Sequence, residues 1–242
     1  MFFESLQKPG LIGITPGDHR VKNEMLMEMM VDCACEHSDY AGFGVNDIER
    51  TGITFILIDW YVKTLKSPVY GQMLKVVTWG HDNTATMVER DFEIRSEEGE
   101  VLVQATSSWI ALDVKNHRIA RVNPDMYAPF GPEDKRLFER KKVFLRGREK
   151  LEEELSVVER QISRGSLDLV GHLHNTAYMG LAVDALPDDV YAKTPFPEFR
   201  IHYKKEITEK DKIICRYGML DGKHTVVIQN EEGMENAMVQ MW

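Results

Sequence analysis

The chain has 242 residues, 43% hydrophobic and 29% charged, an ordinary globular mixture long enough for one large core or two of common size. No run approaches the roughly 20 apolar residues that span a bilayer, and Glu4 stands where a signal peptide would be basic, so a cytoplasmic protein without a membrane span is expected. A formal net charge of -9 argues against nucleic acid as a partner, because phosphate binding needs a positive surface.

Residues 22–39, KNEMLMEMMVDCACEHSD, predict the first helix. Met25, Met29 and Ala34 with Leu26, Met30 and Cys33 form an apolar stripe at i, i+3, i+4 spacing. Cys33 and Cys35 lie two apart on that helix and cannot share a face. With Cys215 they make an odd count without ligand spacing, which reads as thiols in a reducing compartment.

Strands follow. TFILIDWYVKTL (54–65) is rich in β-branched and aromatic residues; MLKVVTWG (73–80), residues 84–96 and residues 101–114 continue the pattern. EEGE joins the last two as a hairpin, and a short strand is expected within 117–122. Pro124, Pro129 and Pro132 then open a charged stretch, expected to be a linker with some helix over 123–157.

Beyond it the order recurs. Residues 157–167 are strand-like, a helix is expected from about His174 to Leu186, and four strand-like runs occupy 199–208, 211–220, 224–230 and 235–242. Strand, helix, then four antiparallel strands, occurring twice, is an internal repeat. The expectation is an α+β chain: a tandem, double hotdog with two antiparallel sheets, each wrapped round one helix. Its domains would be 1–122 and 158–242.

Particular residues carry a family likeness. In the first half Pro68, Gly71, Thr78, Trp79, Arg90, Asp91, Gly99, Glu100, Ala105 and Trp109 stand in a fixed order. In the second, Asp168, Gly171, His172, His174, Asn175 and Tyr178 precede Tyr203, Lys204, Lys205, Glu206 and Ile207. This arrangement resembles the acyl-ACP thioesterases of plants and bacteria over most of the chain. It departs twice: Val170 stands where the family has asparagine, and Ile207 where plant members have cysteine.

The resemblance implies hydrolysis of fatty acyl-ACP thioesters to free acid and holo-ACP. That chemistry needs an activated water and donors for an oxyanion. If Asp168 to Asn175 open a helix, free N–H groups near Gly171 to His174 would hold the carbonyl, with Gly171 admitting close approach. Glu206 on the neighbouring strand would be the general base, strengthened by partial burial. His172 would polarise the carbonyl or position water, and Asp168 would orient His172. The structural alternatives are an N-cap for Asp168 and a solvated charge for Glu206. His174 would bind substrate or replace the missing asparagine, and Asn175 would bind the pantetheine arm or cap the helix.

The expected partner is acyl carrier protein, an acidic bundle in the family context. Lys135, Arg136, Arg140, Lys141, Lys142, Arg146, Arg148 and Lys150 would offer it a basic surface, against the plainer reading of a solvated linker. The acyl chain would lie in the first domain, against Met25, Met29, Phe55, Trp60 and Tyr61. A homodimer stays open. No cofactor and no metal are implied, since neither a metal motif nor a nucleotide loop stands out. The alternatives are an acyl-CoA thioesterase of the same fold, a protein that binds acyl thioesters without turning them over, and a hotdog dehydratase.

Overall fold

The computed structural model describes residues 1–81, 86–139 and 151–242. They form two compact units, one of residues 1–21 and 25–141, the other of 22–24 and 142–242. Within the expected linker, Pro124–Tyr127 makes a short helix and a strand begins at Glu153.

The first unit contains β1 (Phe3–Gln7), α1 (Asn23–Tyr40), α2 (Ile48–Thr51), β2 (Ile53–Thr64), β3 (Leu74–Gly80), β4 (Met87–Arg95), β5 (Val101–Asp113), β6 (Arg118–Ile119) and α3 (Pro124–Tyr127). Its strands pair antiparallel in the order β1-β3-β4-β5-β2, with β6 added to β5. Helix α1 buries Leu26, Met27, Met30, Cys33, Ala34 and His37. Met29 O accepts from Gln7 Nε2 on β1, and Cys33 Sγ donates to Val76 O on β3. Each fully buried large side chain contributes roughly 1.5–3 kcal/mol.

Strands β3 and β4 are buried on both faces. A strap over residues 133–137 covers the outer one. Lys135 O accepts from Trp79 Nε1 at 2.7 Å, Glu133 O lies 3.1 Å from His81 Nδ1, and Asp91 Oδ2 accepts from Leu137 N at 2.8 Å.

The second unit contains β7 (Glu153–Gln161), α4 (Ala177–Val183), α5 (Asp188–Tyr191), β8 (Glu198–Tyr203), β9 (Lys212–Leu220), β10 (Lys223–Asn230) and β11 (Glu235–Met241). Its order, β7-β9-β10-β11-β8, repeats that of the first unit strand for strand, and α4 packs on β9, β10 and β11. Each unit is a hotdog, and the chain is a double one.

Two elements of this unit differ from expectation. The helix expected from His174 starts three residues later, because His174 O is taken by Ala177 N in a turn, and α4 ends at Val183. The strand expected to reach Thr208 ends at Tyr203. There the N–H groups of Lys204 and Lys205 both turn to Asn236 O, at 2.8 and 3.1 Å.

Candidate active site

The motif residues of the second unit lie on a three-stranded ribbon outside the main sheet. Residues 166–168 run beside 172–174: Asp168 N donates to His172 O at 2.7 Å and His174 N to Ser166 O at 2.9 Å. Residues 172–174 run in turn beside 206–208, with Leu173 N donating to Ile207 O at 2.8 Å and His172 paired with Thr208. Side chains alternate across such a ribbon. Leu173 and Ile207 are buried, so Leu167 shares their inner face and the polar residues share the other. The register sets these out in two rows: Asp168, His172 and Thr208 in one, Ser166, His174 and Glu206 in the other.

Leu169, Val170 and Gly171 form the turn. Gly171 sits at φ 86°, a left-handed conformation that costs a residue with a Cβ, and its N–H donates to Asp168 O. Asp168 Oδ1 accepts from Val170 N at 2.9 Å and His172 N at 3.0 Å, so the carboxylate closes the turn. Val170 projects from the tip, 63% exposed.

His174 Nδ1 lies 2.9 Å from the hydroxyl of buried Thr176. Thr208 gives both its N–H and its hydroxyl to Asp211 Oδ2. Asn175 O accepts from Tyr203 OH at 2.8 Å. Tyr178, T-shaped against Tyr203 with centroids 5.1 Å apart, is buried. Burial holds its phenol proton on, reinforced by the nearby carboxylates of Glu206, Asp168 and Asp211.

The first unit contains a partly open cavity of about 230 Å³. Ala34, Phe43, Phe55, Val88, Trp109 and Phe130 make its apolar wall, with Cys35, Ser38, Asp39, Thr54 and Arg90 as polar points. Among the described residues no three His, Cys, Asp or Glu side chains converge to hold a metal, and no helix is long and apolar enough to cross a membrane.

The sequence model of the acyl-ACP thioesterase N-terminal domain matches residues 15–130, and that of the C-terminal domain matches 149–241. The chain belongs to the acyl-ACP thioesterase family. Against oleoyl-acyl carrier protein thioesterase 1 of Arabidopsis thaliana it is 22% identical over 204 residues, 78% of this chain and 56% of that protein. Against the palmitoyl-acyl carrier protein thioesterase of Gossypium hirsutum it is 21% identical over 202 residues, 78% of this chain and 48% of that one. The chain thus spans about half the length of the curated relatives it matches. The 12:0-ACP thioesterase from Umbellularia californica superposes with a TM-score of 0.85 at 16% identity, over 99% of this chain and 96% of that one. An acyl-ACP thioesterase from Bacteroides thetaiotaomicron gives 0.86 at 15%, also over 99% and 96%. These likenesses establish the double hotdog fold.

Several residues of the family motif stand differently from expectation. Asp168 takes the backbone N–H of His172, not its ring. The N–H groups of Gly171, His172, Leu173 and His174 are all bonded within the protein, so none is open to a carbonyl oxygen. Among the described residues, the N–H groups of Asn175 and Thr176 make no hydrogen bond, as at an ordinary helix start. Glu206 lies beyond the end of β8 and is exposed, so the burial expected to strengthen it is absent.

In the first unit, Phe55 lines the cavity while Met25, Met29, Trp60 and Tyr61 do not; Met29 and Trp60 are spent in the core. Lys135 and Arg136 are ion-paired with Glu93 and Glu89. Arg140, Lys141, Lys142, Arg146, Arg148 and Lys150 lie outside the described residues.

Two residues that hold the candidate site in place, Thr176 and Asn236, escape a reading of the motif. Thr176 fixes a histidine ring, and only its place two residues after His174 signals that. Asn236 Nδ2 donates to Glu206 O at 3.2 Å from a strand thirty positions away, and no local pattern marks it. Arg90, one of the residues that carry the family likeness, is buried on β4 and lines the cavity.

Proposed function

We propose that this protein hydrolyses fatty acyl-ACP thioesters to free fatty acid and holo-ACP. The observation that carries this reading is the ribbon, which gathers Asp168, His172, His174, Glu206 and Thr208 on one face beside the start of α4. Membership of the family supplies the reaction class. Asp168 holds the turn that presents His172, His172 positions the thioester carbonyl, and Glu206 adds a carboxylate on the same face, where the attacking water is activated. Asn175 and Thr176 supply the N–H donors for the carbonyl oxygen, while Gly171 shapes the wall for the pantetheine arm.

The cavity of the first unit is the proposed seat of the acyl chain, since its wall is aliphatic and aromatic. Relatives named for oleoyl and palmitoyl carrier-protein substrates leave the length preferred here to experiment. A cytoplasmic setting is proposed on the unpaired thiols, with Cys33 and Cys215 buried.

Release of free acid, followed over acyl-ACP and acyl-CoA substrates of graded length, tests the reading. Turnover on acyl-ACP is the expected result. Turnover on CoA substrates alone would make the protein an acyl-CoA thioesterase. Tight binding without release would favour a binding protein, the reading to which the apolar, exposed Val170 lends weight.

A further inference from the structure

The register of the ribbon points to a different base from the one the motif suggested. We infer that His174 takes the proton of the attacking water, with Glu206 beside it steadying the imidazolium. This rests on the thioesterase reading above and names the residue that does its chemistry.

Three observations carry it. The carboxylate of Asp168, in the row of His172, is spent on two backbone N–H groups, and Thr208 in that row is held by Asp211. His172 therefore has no open carboxylate level with it. In the other row, Glu206 lies level with His174, and its carboxylate is exposed and makes no hydrogen bond among the described residues. Lastly, Nδ1 of His174 is fixed at 2.9 Å by the hydroxyl of buried Thr176. In the tautomer that carries its proton on Nδ1 and donates it to Thr176, which this inference assigns to His174, Nε2 keeps its lone pair and its aim is set. A base oriented by one neighbour and charge-stabilised by another is the general arrangement of an activated water. Neutral imidazole is the side chain best matched to proton transfer near neutral pH.

Water attacks the thioester carbon, forming a C–O bond, while Nε2 of His174 takes one proton from it. Collapse of the tetrahedral intermediate breaks the C–S bond, and the imidazolium returns its proton to the departing sulfur. The products are the fatty acid and the free thiol of the carrier, with His174 neutral again.

The test uses the full chain and the acyl-ACP on which the parent turns over fastest. His174→Asn keeps an amide N–H within reach of Thr176 and places nothing basic at Nε2. It should lose on the order of 100 to 10,000-fold in kcat with KM changed little. His174→Ala should lose as much and regain part of its rate, in proportion to dose, when imidazole is added. Circular dichroism establishes that both variants are folded. Activity of His174→Asn close to the parent's would overturn the inference and leave the thioesterase reading standing, and so would failure of imidazole to raise the rate of His174→Ala. A parent without turnover on any acyl thioester would sink both.

Discussion

Inside the first unit, Nη1 of Arg90 donates to Nδ1 of His37 across 2.9 Å, and both side chains are shut off from solvent. Thr78 Oγ1 accepts from the same nitrogen, Phe3 stacks on the imidazole, and Phe130 lies under the guanidinium. Nδ1 can accept only while His37 is neutral. Burial first, and the Arg90 charge second, push the imidazole down to about 3 from its ordinary 6.5.

A pH dependence of stability follows. The folded value lies below the unfolded one, so as pH falls the unfolded chain takes up the proton first. This contribution is whole above about 6.5 and is lost between there and about 3, at about 1.4 kcal/mol per pH unit for one proton. His37→Gln keeps an acceptor for Arg90 and removes the titration. It should be less stable than the parent at pH 7, with the gap in urea midpoint narrowing toward pH 4. A gap that stays constant over that range would show that His37 is not the titrating group.

Sheet and repeat were legible because alternation and β-branched runs record burial directly. The strands expected over 73–80 and 101–114 are found as Leu74–Gly80 and Val101–Asp113. Residues 174–186 were harder, since the apolar spacing that marks α4 continues back through a turn ending at Thr176. The motif residues of the second unit do lie together on the ribbon, yet their backbone support differs from expectation. Asp168 spends its carboxylate two and four positions on, a local fact hidden by the helix expected there. The exposure of Glu206 is set by Asn236, which draws the chain away from β8, and that contact has no local signature.

The acyl-chain assignment predicts a change of substrate length on truncating Phe55. Its ring is half-buried in the cavity wall, edge-on to Phe130 at 6.0 Å. Phe55→Ala should cost less than the roughly 3–5 kcal/mol of a fully buried phenylalanine and should shift preference toward longer chains. Rates over a graded acyl-ACP series would check this. An unaltered profile in a folded variant would remove the cavity as the acyl seat.

Two glycines of the second unit separate backbone strain from crowding. Gly171 sits at φ 86° with open space where a Cβ would go, while Gly165 has no such dihedral and meets only Ser163 Oγ at 3.7 Å. Gly171→Ala should cost about 1–2 kcal/mol from the left-handed conformation, lowering Tm by about 2–4 °C per kcal/mol in a chain of this size. Gly165→Ala should leave Tm unchanged or slightly raised. Equal melting of the two variants would mean that the turn at Gly171 relaxes freely.

Asp168 can be tested as a scaffold against Asp168 as a reagent. Its Oδ1 accepts from Val170 N and His172 N, and those two bonds set the turn that presents both rows of the ribbon. Asparagine keeps an oxygen in that place and loses only the charge; alanine loses the acceptor and leaves two N–H groups to water. If the carboxylate works through the turn, Asp168→Asn should melt near the parent and keep turnover within about tenfold, since a neutral acceptor is about half as strong as an ionised one. Asp168→Ala should lose about 0.5–2 kcal/mol, as a lost cap does, together with most of kcat, because the ribbon loses its register at His172. The two profiles need thermal melts and kcat on the same acyl-ACP. If Asp168→Asn instead keeps its Tm and loses kcat a hundredfold or more, the negative charge itself acts in the reaction, and Asp168 moves from the frame of the site into its chemistry.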